Sequence, residues 1–314
     1  MPARSRLEWL GDLELRRDGY ALPIDKVLPG PLQVCAQTYP LDAAARVTLH
    51  CTTASGPPRQ LAMTVDAARV GPYANNTRWC ASIDAEPGSI ALRVVAEDAA
   101  GAETVAELAF TARTEIALFE TAADAAAWRM AGEGTFGVEP AGASAILRAH
   151  PGHGLGLYWA AIPTPADFAL SAEVRLDRFD DNSGVFLRFR DPETLGYDNP
   201  AWAPVHDGLE IQIDETARPD GADVHRTGAV YDQPSRFARA PDAVPGTWRQ
   251  FEVTARGTRT TVRIDGALVT DHTFTGDPAH PERARPSAPG APRFVGLQAH
   301  TGAVSFRHIR LRAL

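Results

Sequence analysis

The chain predicts an all-β protein of two successive sandwiches, and three observations carry that prediction. Short runs alternate apolar with polar residues, the period of a half-buried strand. Gly, Pro, Asp and Asn break these runs at intervals of about ten to fifteen residues. Long amphipathic stretches at helical period are missing; the best one, Ala122 to Arg129, amounts to about two turns. A length of 314 residues suits two domains.

Residues 1–114 form the first predicted domain. Its alternating runs cover 32–38, 46–51, 60–65, 79–83, 90–97 and 104–111, a spacing that suits an immunoglobulin-like or fibronectin-like sandwich. Trp79 and Cys80 read as core or sheet edge. Three cysteines, Cys35, Cys51 and Cys80, all fall in this third of the chain. An odd count suggests buried free thiols, with a Cys35–Cys51 bridge as the alternative.

Residues 115–314 form the second. Its runs are 168–176, 184–190, 209–214, 228–231, 248–255, 260–264, 267–274, 293–299 and 303–311. Asp180 to Ser183 reads as a turn, and Asp265-Gly266 as a type I′ hairpin. Apolar parity switches between Phe306 and Ile309, which predicts a bulge. So many antiparallel strands imply two packed sheets, with Phe186, Ile211, Ile213, Val253, Val262 and Ile264 between them.

Composition narrows the function. The formal net charge is -8, which argues against nucleic acid and anionic membranes as partners. No apolar run approaches a membrane span. The N-terminus lacks the apolar middle of a signal peptide, so the expected location is cytoplasmic. Lys26 is the sole lysine, which disfavours lysine imine chemistry elsewhere. The histidines show no HxH or HExxH spacing, Gly152 to Gly156 leads into a strand rather than a helix, and no nucleophile elbow occurs. The sequence requires no cofactor and leaves a divalent metal open.

One strand stands out: Leu209-Glu210-Ile211-Gln212-Ile213-Asp214. Its aliphatic residues take one face; acid, amide and acid take the other. That row suits a groove that grips a hydroxyl-rich ligand. Glu210 and Asp214 are about 13 Å apart at Cα, from the rise of a strand. A retaining glycosidase needs its carboxyls about 5–5.5 Å apart. Single-base chemistry therefore fits better.

Several segments together resemble the 3-keto-disaccharide hydrolase domain family, nearly end to end over the second domain. They are DFALSAEVRL at 167–176, with its Glu173 and Arg175 pair; NSGVFLR at 182–188; LEIQIDE at 209–215; and TGAVY at 227–231. GTWRQFEV, RIDGALV, VGLQAH and FRHIRL follow in order. The chain departs from the family pattern at Leu209, Asp214-Glu215 and Ala299. The resemblance implies a concanavalin-like (jelly-roll) β-sandwich with a carbohydrate groove, and a substrate oxidised to a ketone at sugar C3. Such a glycoside cleaves by loss of the C2 proton and expulsion of the C1 substituent, with or without rehydration. On that reading His300 or His225 is the base, or Glu210 is, with a histidine as acid. Arg188 would stabilise the enediolate. Gln212 and Asp214 would bind hydroxyls, Tyr231 would stack or donate, and Tyr197 and Trp202 would stack on sugar rings. Glu173 is carried over with its motif. The rivals are a non-catalytic carbohydrate-binding module and a two-carboxylate glycosidase.

Overall fold

The computed structural model describes residues 6–71 and 73–314. Residues 1–5, which begin the N-terminal segment read for a signal peptide, lie outside that range. The chain divides into two compact units, 1–114 and 115–314.

The N-terminal unit holds a six-stranded and a four-stranded antiparallel sheet. Alternate residues are buried along its strands: Leu32 and Val34 on one sheet, Val47 and Leu49 on the other. Each buried aliphatic side chain contributes about 1.5–3 kcal/mol of transfer free energy. The cysteine pairing differs from expectation. Cys35 is bridged to Cys80, and Cys51 is a buried free thiol. Register explains this. Cys35 and Cys80 stand directly opposite each other on strands Gly30–Tyr39 and Asn76–Ala85, whereas Cys51 belongs to the other sheet. Antibody domains carry an inter-sheet disulfide; this one joins neighbours within a sheet.

The C-terminal unit is a concanavalin-like β-sandwich of a nine-stranded and a five-stranded sheet. The smaller sheet runs Trp128–Gly132, Gly156–Ala160, Phe294–Ala299, Asn182–Phe189, Leu209–Asp214. Strand Leu209–Asp214 lies at its edge. Ile211, Ile213, Val253, Val262 and Ile264 are buried, as the alternation predicts. Asp265 and Gly266 both have positive φ (51° and 81°) and close a two-residue hairpin between Ile264 and Ala267. The predicted bulge is present too. His308 has φ 51°, and the pairing with strand Phe168–Leu176 shifts register opposite it.

Four local readings change. Residues 122–127 form a 3-10 helix. Asn182 and Ser183 open strand Asn182–Phe189 rather than finishing a turn, and Ser183 Oγ donates to the Gln298 carbonyl at 2.6 Å. The run 228–231 is no full strand; it pairs with Leu209–Asp214 through one bridge, Ile211 to Val230. Phe186 is buried, but its partner in register is Glu210, so it lies on the groove face and not between the sheets. There helix Ala203–Asp207 packs against its strand.

Candidate active site

A groove of about 660 Å³ opens on the outer face of the smaller sheet, within the usual size for a small-molecule site. Its floor is Asn182, Glu210, Gln212 and Gln298, from three neighbouring strands. Strand order sets the walls. On one side stand the 152–155 loop, Trp202 and Val205; on the other, beyond the edge strand, stand Arg218, Pro219 and Tyr231. His300 and Thr301 close one end.

Glu210 is the chemically distinctive group. It is 8 % exposed, and burial pushes its carboxyl up to about 8 from an ordinary 4.5, partly offset by a hydrogen bond from Gln298. Gly184 makes room for it. A Cβ at position 184 would stand 2.2 Å from Glu210 Oε1, so the carboxylate keeps this position only beside a glycine. Around it, the side-chain oxygens of Asn182, Gln212 and Gln298 are buried without a protein hydrogen-bond partner. A floor of unpaired amide oxygens is unusual in a finished core and suits a ligand that brings hydrogen-bond donors.

Asp214 is wholly buried and does other work. Its carboxylate accepts hydrogen bonds from Asn182 Nδ2, from Thr216 N and Oγ1, and from Arg218 N and Nε. It anchors the groove wall rather than meeting a ligand.

The remaining expected residues divide. Glu210, Gln212, Tyr231, Trp202 and His300 line the groove together. His300 is bonded to Thr301 Oγ1 at 2.8 Å, and partial desolvation, then the neighbouring Arg218, lower its pKa, with Asp214 opposing the shift. Burial raises the Tyr231 phenol, and the nearby carboxylates of Glu210 and others add to the effect.

His225 does not line the groove. It lies behind Tyr231, with ring centroids 5.0 Å apart, and its Nδ1 is 2.8 Å from Asp220. Tyr197 is one layer removed as well. It stacks on His206 at 5.6 Å, and His206 stacks on Trp202 at 6.0 Å.

Arg188 and Glu173 are placed elsewhere. By parity Arg188 would face the groove, but a bulge between Leu187 and Phe189, with φ 57° at Arg188, turns it away. Its guanidinium is buried against the Gly257 carbonyl and the Ala166 carbonyl, 3.6 Å from Asp167. Desolvation lowers its pKa to about 10, with Asp167 opposing the shift. It ties the small sheet to loops of the large one. Glu173 belongs to the nine-stranded sheet and accepts from Arg307 Nε at 2.7 Å. Asn182, Arg218 and Gln298 are among the lining residues that the sequence does not mark as ligand contacts, as are His153, Val205 and Thr301. Only the NSG and VGLQAH motifs gave a signal for two of them.

Among the described residues no three His, Cys, Asp or Glu side chains cluster as a metal site. No helix there is long and apolar enough to cross a membrane.

Residues 114–312 match the model of the 3-keto-alpha-glucoside-1,2-lyase-like domain family. The chain belongs to this family. None of the curated proteins compared matches it. Among solved structures, it is similar to two candidate glycosyl hydrolases from Parabacteroides distasonis ATCC 8503. One is 21 % identical, covering 57 % of this chain and 90 % of that one, with a TM-score of 0.43. The other is 15 % identical, covering 64 % and 94 %, with a TM-score of 0.46. The carbohydrate binding module CBM66 from Bacillus subtilis is 16 % identical over 60 % of this chain and 96 % of its own, with a TM-score of 0.36.

Proposed function

We propose that this 3-keto-glucoside-lyase-like domain cleaves glycosides already oxidised to a ketone at sugar C3, by elimination across C1 and C2, with Glu210 as the base. The observation that carries the reading is one buried carboxyl, raised to about 8, in a groove floored with amides. A C3 ketone acidifies the C2 proton, because the charge left behind spreads onto the ketone oxygen. Ionised Glu210 takes that proton and an enediolate forms. The enediolate collapses, the C1–O bond breaks, and the leaving oxygen receives the proton back from Glu210. The products are a 1,2-unsaturated 3-ketone and a free alcohol; water adding across the new double bond gives net hydrolysis.

Desolvation makes Glu210 a stronger base than an exposed carboxylate and suits its conjugate acid to proton return near neutral pH. The Tyr231 phenol, kept protonated, is a donor for the developing oxyanion. A two-carboxylate mechanism has less support, since Asp214 is enclosed by its own hydrogen bonds.

The test is to incubate the full chain with a 3-keto-disaccharide and with its unoxidised parent. Consumption of the keto form alone, with release of the enone or its hydrate, is expected. Binding of both without turnover overturns the proposal in favour of a carbohydrate-binding module. Cleavage of the parent sugar overturns it in favour of a conventional glycosidase.

A further inference from the structure

The carboxyl of Glu210 lies in a hollow between two amides. Gly184 pairs with Gln212 on one side, and Val185 with Leu297 on the other, so Gln212 and Gln298 flank Gly184 on its two neighbouring strands. Each is one strand spacing away, about 5 Å. Glu210 leans over the glycine, and its Oε1 is the atom that a Cβ at 184 would strike. There the Gln298 side chain bonds to it. Ionised Glu210 only accepts, so the amide gives it Nε2 and is left with Oε1. That oxygen is buried and has no protein partner among the described residues. Asn182 is oriented in the same way by the other acid of the strand. Its Nδ2 donates to Asp214 Oδ2 at 3.2 Å, and its Oδ1 is left unpaired. Gln212 adds a third such oxygen. All three side chains line the groove and are more than nine-tenths buried. An amide carries a donor and an acceptor, and it offers whichever is not already used. The two carboxylates thus leave acceptors on the floor.

Resting on the elimination reading, we infer that Gln298 serves base and substrate together: its Nε2 holds the Glu210 carboxyl, and its Oε1 accepts the hydroxyl on the carbon that Glu210 deprotonates. The hydrogen and the hydroxyl on C2 share one carbon, as do Nε2 and Oε1 of the amide. With the C2 hydrogen on the carboxyl, the C2 hydroxyl is brought to the amide oxygen, and the contacts close into a ring. A ketone oxygen has no hydrogen to give and finds no partner in Oε1, so the C3 carbonyl is turned away from Gln298. Elimination itself needs only the ketone and a C2 hydrogen. The site adds a requirement that the chemistry does not, a free hydroxyl at C2. Gln298 is then a specificity-determining residue toward the sugar and a positioning residue toward Glu210.

The experiment compares a 3-keto-disaccharide with its 2-deoxy analogue, which keeps the ketone and a C2 hydrogen, on the wild type and on Gln298→Met. Each rate is divided by that of the same compound in hydroxide, which removes the difference in intrinsic acidity. The wild type is expected to prefer the parent by about 100-fold in kcat/KM, the scale of one buried acceptor left unpaired. Equal handling of the two overturns the hydroxyl contact and leaves the elimination reading standing. Gln298→Met, similar in length and without an amide, is expected to lose the preference; a preference kept overturns the contact as well. The same variant is expected to move the rise of kcat/KM to higher pH, because desolvation then raises Glu210 without the opposing bond from Gln298. Tyr231, the titratable neighbour of Glu210 across the groove edge, is unchanged by the substitution. An unmoved profile overturns the hold on Glu210. Should Gln298→Met fail to fold, Gln298→Glu takes its place. It keeps an acceptor for the hydroxyl and sets a like charge beside Glu210, so the preference is kept while the rise moves up in pH; loss of the preference overturns the contact, and an unmoved rise overturns the hold. A wild type inactive on both keto compounds overturns the elimination reading itself, and this inference with it.

Discussion

Glu210 and Asp214 stand on the same face of one strand, four residues apart, and their surroundings are opposite. Asp214 is ringed by donors from Asn182, Thr216 and Arg218. Glu210 has one amide, Gln298, and a glycine beside it. A buried carboxylate with many donors is a fixed structural anion; one with few resists ionisation and stays reactive. The difference teaches that the alternating pattern of a strand can present two identical functional groups, while the neighbouring strands decide which of them does chemistry.

Exchanging the two acids is the sharpest way to break this comparison. Glu210→Gln is expected to lower kcat by about 10³-fold, the scale of a lost general base, with the fold intact by circular dichroism. Asp214→Ala is expected to act on stability first. It removes the partner of Arg218 and leaves the Asn182 and Thr216 donors unpaired, costing about 2–3 kcal/mol in urea unfolding, discounted because Arg218 is partly solvated. A stable Asp214→Ala protein alongside a fully active Glu210→Gln protein would reverse the assignment.

Acidity gives a second contrast. Between about pH 4.5 and 8 the folded chain holds on Glu210 a proton that the unfolded chain has released. Stability therefore falls as pH rises through that window, and the loss is complete above it. Glu210→Gln lacks this slope and is expected to gain on the order of 4–5 kcal/mol on the wild type at pH 9 relative to pH 4, read by denaturation at both pH values. Over the same upper range kcat/KM of the wild type is expected to rise with pH to a plateau above about 8, as the base ionises. A flat profile from pH 6 to 9 would count against Glu210 as base.

Much of the fold was legible because alternation survives in single strands: the runs 168–176, 209–214 and 293–299 appear close to where they were read. The groove was legible only in part. Glu210 and Gln212 follow from parity, Tyr231 from the TGAVY motif and Trp202 from the aromatic loop 191–207. Arg188 misled because one residue in left-handed backbone reverses the parity after Leu187, and arginine gives no hint of such a conformation. Phe186 reads as inter-sheet core because it is hydrophobic, whereas register pairs it with Glu210. Arg218 and Gln298 were hidden because their position depends on which distant strands become neighbours. The same holds for Cys35 and Cys80, separated by 45 residues.

The hollow at Gly184 has a consequence for how this protein would respond to systematic substitution. Nothing at that position can touch a substrate, donate a proton or carry charge. Yet a single methyl group there would collide with Glu210 Oε1 and swing the carboxylate off its line. In a saturation screen scored by turnover, a residue with no functional group would therefore rank beside the base itself. Gly184→Ala, scored by folding, would register far less, since the clash is with the movable end of one side chain.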